Sequence, residues 1–237
     1  MERATILRNL AASGAEHGDT RSIRVLSTEL GLSTADLLVV AGRPVPAELL
    51  PPERDAQVLR GFAHRVSHCD HAQLAELESF ARALPRAADP APLRPLPWPG
   101  RRPAETGFAA VLGGLILNRG FGVRELPFLG LSHSTLHQML WRWDPNRHRR
   151  QQLSAIAGTL GWTLPDIFAI ADEPYAEDIR PMVHCHHLGR VFTAAIPLTT
   201  AQLIETARAA DRLSAREDHG AWQPVSQGYV AECPDFA

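Results

Sequence analysis

The chain has 237 residues, a formal net charge of −2 and 45% hydrophobic residues, enough for one or two globular domains with a real core. Near-neutral charge excludes a general nucleic-acid coat but not one localised basic surface. Three scattered cysteines (Cys69, Cys185, Cys233) exclude a disulfide framework. No apolar run approaches the roughly 20 residues of a membrane helix, so a cytosolic protein without membrane contact is expected.

In chain order, the first module spans residues 1–84. Ile23, Leu26 and Leu30 recur at helical spacing and end at Gly31, a residue suited to the left-handed position after a helix. Ser33 then caps a second short helix, with Asp36 three residues later near its positive end. Two further amphipathic helices follow in "PPERDAQVLRGFAHRV" and "DHAQLAELESFARAL", where Glu76 and Glu78 read as an ordinary solvated face. Residues 84–103 carry seven of the 19 prolines and read as a stiff extended linker, placed at 85–103. The part beyond it is expected to fold by itself from Pro103 onward. Within 104–174 come an apolar helix, "FAAVLGGLILNRG", and then "GLSHSTLHQML", a tight turn, a capping Ser132 and a short helix. The extension 175–237 reads as α or α+β: an amphipathic helix in "TTAQLIETARAADRL" between short strands in "RVFTAAI" and "QGYVAEC".

An internal repeat joins the two parts. "TILRNLAASGAEHGDTRSIRVLSTELGLSTADLLVVAGRP" aligns without a gap with "TLHQMLWRWDPNRHRRQQLSAIAGTLGWTLPDIFAIADEP". Leu10 meets Leu140, Leu30-Gly31 meets Leu160-Gly161, Asp36 meets Asp166 and Pro44 meets Pro174. Ile23, Leu26 and Leu37 meet Leu153, Ile156 and Ile167, so the apolar periodicity is shared as well. Each copy predicts a helix, a glycine stop and a capped second helix, with Thr163 taking the place of Ser33.

The order of helix, short helix, glycine turn, polar helix, loop and two closing helices resembles the lambda-repressor-like helix-turn-helix regulators of the XRE family. Gly130-Leu131-Ser132, Thr135-Leu136 and "RRQQLSAIAGTLGWTLPDIFAIA" carry the resemblance, over about residues 105–172. It implies a mainly α fold with two related lambda-repressor-like copies. The first copy is partial, matching only from the recognition helix onward. The stretch "ELPFLG" departs from the family pattern, because Pro127 shortens or displaces the first helix of the motif.

The residues themselves support a DNA surface. With Leu136 and Leu140 facing inward, His133, Ser134, His137 and Gln138 face outward as base-reading candidates, and glutamine can pair bidentately with adenine. Arg142, Arg147, His148, Arg149 and Arg150 then crowd one loop. Ser132, Thr135, Arg142, Asn146, Arg147, Arg149 and Arg150 are the phosphate-contact candidates. The first copy has Ala12, His17, Gly18, Asp19 and Thr20 where the second has its arginine knot, so it is expected to pack, dimerise or sense instead. A solvated helix connection is the blander reading of the knot. At least one of Trp141 and Trp143 is expected in the core.

"VHCHHLG" and "SHCDH" resemble metal-site bait. In an extended segment His184 and His186 would share a face, with Cys233 and His219 as remote recruits. A zinc site needs about four ligands and no CxxC partner is present, so no metal is expected. Cys69 reads as a small buried or half-exposed thiol. No phosphate loop, nucleophile elbow or HExxH occurs, so no catalytic residue and no cofactor are expected. The expected function is a sequence-specific DNA-binding transcriptional regulator, a homodimer on double-stranded DNA, with an effector or protein partner left open. The alternative is a protein-interaction module of the same fold that has lost DNA binding.

Overall fold

The computed structural model describes residues 3–13, 20–86, 107–122, 131–141, 150–175 and 178–215, and these are overwhelmingly helical. Before the linker lie α1 (Arg3–Ser13), α2 (Thr20–Leu30), α3 (Thr34–Val40), α4 (Ala56–Ser67) and α5 (His71–Ala83). After it come α6 (Gly107–Leu117), α7 (His133–Trp141), α8 (Arg150–Leu160), α9 (Leu164–Ile170), α10 (Val183–Ala195) and α11 (Thr200–Ala215). The pairs α1 and α7, α2 and α8, and α3 and α9 each begin 130 residues apart.

Local chemistry explains the shared boundaries. Gly31 and Gly161 take φ of 61° and 71°, which lets the next amide turn back onto the helix. Leu32 N–H thus bonds Ser27 C=O at 3.2 Å, and Trp162 N–H bonds Ala157 C=O at 2.8 Å. Ser33 Oγ then accepts the Asp36 amide at 3.0 Å, and Thr163 Oγ1 accepts the Asp166 amide at 3.3 Å. The short helices stop alike: Arg43 N–H reaches Leu38 C=O at 2.8 Å, and Glu173 N–H reaches Phe168 C=O at 2.9 Å. Gly42 and Asp172 hold the same left-handed position, with φ of 64° and 55°.

The correspondence continues beyond the aligned segments. Asp70 caps α5 and trades hydrogen bonds with Gln73 in a capping box. Thr199 and Gln202 make the same exchange at the start of α11, at 3.0 and 3.4 Å. Cross-packing is reciprocal: α4 lies on α11, and α10 on α5. Phe62 of α4 and Phe192 of α10, both fully buried, meet edge to face at 5.7 Å.

The linker does not separate two cores. One apolar cluster runs from Leu7 through Phe62 and Leu77 to Phe168, Phe192 and Leu213. α1 packs on α9 and α3 on α6. Arg54, buried before α4, donates to the carbonyls of Ala195 at 3.1 Å and Arg119 at 2.6 Å. It thereby plugs the carbonyl ends of α10 and α6, where a cation is favoured. Phe121 offers it a ring face at 5.9 Å. Burial lowers its pKa to about 10, so it stays charged at neutral pH.

Three expectations are corrected. "RVFTAAI" is not a strand but the C-terminal part of α10. Cys185, Leu188, Val191, Phe192 and Ala195 bury one side of that helix, and helical burial outweighs the β preference of Val and Phe. His184 and His186 therefore do not share a face in an extended segment; His184 and His187 are the helical neighbours. Glu78 is buried rather than solvated, holding Arg82 at 2.9 Å and Arg190 at 2.8 Å, because its side of α5 meets α10. The second expected strand, "QGYVAEC", and Pro127 lie outside the described residues. No single described helix is long and apolar enough to cross a membrane.

Candidate nucleic-acid interface

Two turns of apolar spacing determine which way α7 faces. Leu136, Met139 and Leu140 are buried, as is Leu131 ahead of the helix, and α7 rests on α6. Ser132 caps it: its Oγ accepts the Thr135 amide at 3.1 Å and lies 2.7 Å from Thr135 Oγ1 and 3.1 Å from Ser134 Oγ. The first turn therefore presents a small cluster of hydroxyls at a positive helix end, suited to a phosphate oxygen.

Opposite the buried stripe, Ser134 and Gln138 are exposed and His137 is half-buried. Thr135 is half-buried with its hydroxyl turned to Ser132. Trp141 ends the same outer stripe, exposed, with its ring 4.2 Å from that of His137. Spacings of three, four and seven residues put Ser134, His137, Gln138 and Trp141 on one face. Of the two tryptophans of which at least one is expected in the core, Trp141 is therefore outside it. Its i,i+4 spacing from His137 is the signal that would have placed it outside.

The side chain of His133, and Arg142, Asn146, Arg147, His148 and Arg149, are outside the described residues, as is Trp143. Arg150 opens α8, but its side chain is not among those described. Ser132, Ser134, Thr135, His137 and Gln138 are thus the predicted residues brought together.

α1 turns the centre of the equivalent face inward. Leu7 stands where α7 has His137, and it is fully buried with α1 packed on α9. Arg8 stands in the place of Gln138 and is 3.6 Å from Asp172.

The backing of α7 is fixed by polar bonds that sequence reasoning missed. Just beyond α6, Asn118 Nδ2 donates to Asp36 Oδ1 at 2.9 Å. The next residue, Arg119, pairs with the same oxygen and also donates to Leu160 C=O at the end of α8. Trp162 Nε1 donates to Asp36 Oδ2 at 3.3 Å. Four side chains thereby tie α6, the support of α7, to α3 and α8. An "NR" pair directly after an apolar helix was the available signal.

Among the described residues, no group of three or more His, Cys, Asp or Glu side chains is placed to hold a metal ion. No protein-family model matches the chain, and no curated protein or solved structure is significantly similar to it.

Proposed function

We propose that the chain is a sequence-specific DNA-binding transcriptional regulator of the helix-turn-helix type, acting as a homodimer, with α7 as the helix that enters the major groove. The observation that carries this reading is the outer stripe of α7. A serine-capped, two-turn helix with Ser134, His137 and Gln138 on its open side has the size and donor–acceptor chemistry that base edges require. The arginine-rich segment 142–150 follows directly in sequence, which suits backbone phosphates. The two lambda-repressor-like copies belong to the same proposal, supported by the matched caps, glycine stops and helix starts. On this reading the first copy has exchanged its reading face for a packing face, at Leu7. Each chain then supplies one reading helix, and paired half-sites need two chains.

The test is a binding titration against duplex fragments from around its own gene, at two salt concentrations. Specific binding with a steep salt dependence is expected. Replacing Arg147, Arg149 and Arg150 together by alanine should weaken all sequences about equally and flatten the salt slope by roughly one unit per lost contact. Unchanged affinity of that triple variant for every duplex would remove the reading.

The second reading is a protein-interaction module of the same fold. The exposure of Trp141 favours it, since an aromatic anchor on an open helix face suits a protein groove. If no duplex binds above the non-specific level, this reading takes over.

A further inference from the structure

The two histidine-rich stretches of the sequence meet in the fold. His71 is the first residue of α5, while His184 and His187 lie in the first turns of α10. The His71 and His187 rings stack at 4.6 Å with planes 20° apart, and His184 lies 5.8 Å from His71. α5 belongs to the part before the linker and α10 to the part after it, so the trio sits on a seam that joins them. We propose that His71, His184 and His187 form a proton-operated latch on the α5–α10 seam, closed while the rings are neutral and loosened when they take up protons from solvent.

Three features of the seam favour this. His71 and His184 stand in the first turns of two helices, at positive ends where a cation is disfavoured. His71 stacks on His187 and lies near His184, so charging one opposes charging the next. Glu78, Asp70 and Asp211 are already engaged. Glu78, farther along α5, holds both Arg82 and Arg190. Asp70 beside His71 accepts the Gln73 amide at 2.8 Å. On α11, which packs on α5 and also carries Glu205, Arg208 and Arg212, Asp211 is held by Arg65 at 2.9 Å.

The other neighbours add no relief. The end of α4 brings two more imidazoles, His64 and His68, stacked at 4.5 Å. His186 on α10 lies 6.3 Å from His187. α8, on the other side of α10, has no titratable residue after Arg150. The direction of titration agrees. Burial, then the nearby His71, pushes the pKa of both His184 and His187 below the ordinary imidazole range. A backbone hydrogen bond to Ser67 partly opposes this at His184; at His187, Arg190 and His186 add to the lowering and Glu78 weakly opposes it. Near-parallel ring planes also argue against a shared metal, because in-plane lone pairs of stacked rings do not converge.

The sign follows from linkage. A histidine held neutral in the fold binds fewer protons than it does unfolded. Its share of stability is therefore intact above the ordinary imidazole pKa and is lost as the pH falls through the depressed folded value.

The test uses the full chain, following each imidazole by NMR from about pH 8 to about pH 5, with amide exchange read in parallel. His184 and His187 should titrate below free histidine, and His71→Gln, at an exposed position, should move both upward. Exchange in α5 and α10 should accelerate by roughly tenfold more than in α2 over that range. The His71→Gln/His187→Gln variant should lose the difference. Titrations of His184 and His187 that ignore His71→Gln would overturn the latch. So would seam exchange that is equally acid-sensitive in the double variant, or that responds to zinc and EDTA rather than to pH.

Discussion

Asp36 and Asp166 stand at the same place on α3 and α9, and each takes its arginine from the other side of the linker. Arg3 pairs with Asp166 at 2.7 Å and also donates to Leu30 C=O, at the end of the helix before Asp36. Arg119 pairs with Asp36 and also donates to Leu160 C=O, at the end of the helix before Asp166. Two non-equivalent arginines thus make the same bridge in opposite directions.

The bridges differ in burial, and this predicts unequal costs. The Arg119 and Asp36 side chains are 7% and 2% exposed, whereas Arg3 is 39% exposed. Asp36→Ala strands a buried guanidinium and also removes the acceptor of Asn118 and Trp162. It should cost about 3–5 kcal/mol in urea unfolding. Asp166→Ala leaves Arg3 free to reach water and should cost distinctly less. Equal costs would mean that burial does not set the value of these bridges.

A second prediction concerns the seam between α8 and α10, where backbone touches backbone. A Cβ built on Gly189 would lie 1.9 Å from Gly158 O, with no side chain in between that could yield. Gly189→Ala should therefore push the helices apart and cost about 1–3 kcal/mol or more. Gly61→Ala on α4 is the control, because its Cβ would meet only the flexible end of Arg65, at 3.0 Å. Alanine is the better helix former, so that variant should be neutral or slightly stabilised. Thermal unfolding of the pair separates helix propensity from close approach. A tolerated Gly189→Ala would show that the seam can open without loss.

These features mark what was legible in the sequence. Gly31, Gly161, Ser33 and Thr163 act within four residues of themselves, so their turns and caps could be read directly. The inner and outer sides of α7 followed from Leu136 and Leu140 alone. Arg3–Asp166 and Arg119–Asp36 span most of the chain, and no local spacing encodes them. Glu78 looked solvated because its partner Arg190 is remote in sequence. α10 was misread at Val191 and Phe192 because residue preference was weighed without the helices that bury them. Asp70-Gln73 and Thr199-Gln202 were visible as caps, but not as a matched pair, since one residue of offset separates them from the rest of the alignment.

The third prediction rests on the proposed reading of α7. Gln138 is exposed and lies beside His137 on the outer stripe, away from Leu136 and Leu140. Gln138→Ala should relax preference at one or two base pairs, at a cost of about 1–3 kcal/mol for a bidentate contact, and leave unfolding unchanged. Trp141→Ala should cost DNA affinity little on the same reading, because its ring is spent on His137. Footprints of Gln138→Ala that match the wild type in position and strength would place base reading elsewhere.

The last prediction concerns the linker. Prolines suggest that a fragment beginning at Pro103 is self-sufficient, but the packing opposes this. Such a fragment loses α5 from the face of α10, α4 from α11, α3 from α6 and α1 from α9. It uncovers Phe192, Leu188 and Leu203, each at most 1% exposed in the full chain, and leaves Arg119 without Asp36. Apolar burial at about 25 cal/mol per Å² is the main stabilising contribution that would vanish, and a buried cation would be stranded as well. The fragment should therefore show less helix by circular dichroism and should aggregate in light scattering. Residues 1–86, added as a separate chain, should restore a compact one-to-one complex, because the shared core and not the linker holds the two parts together. A Pro103 fragment that is monomeric and fully helical by itself would show that the cross-packing is dispensable.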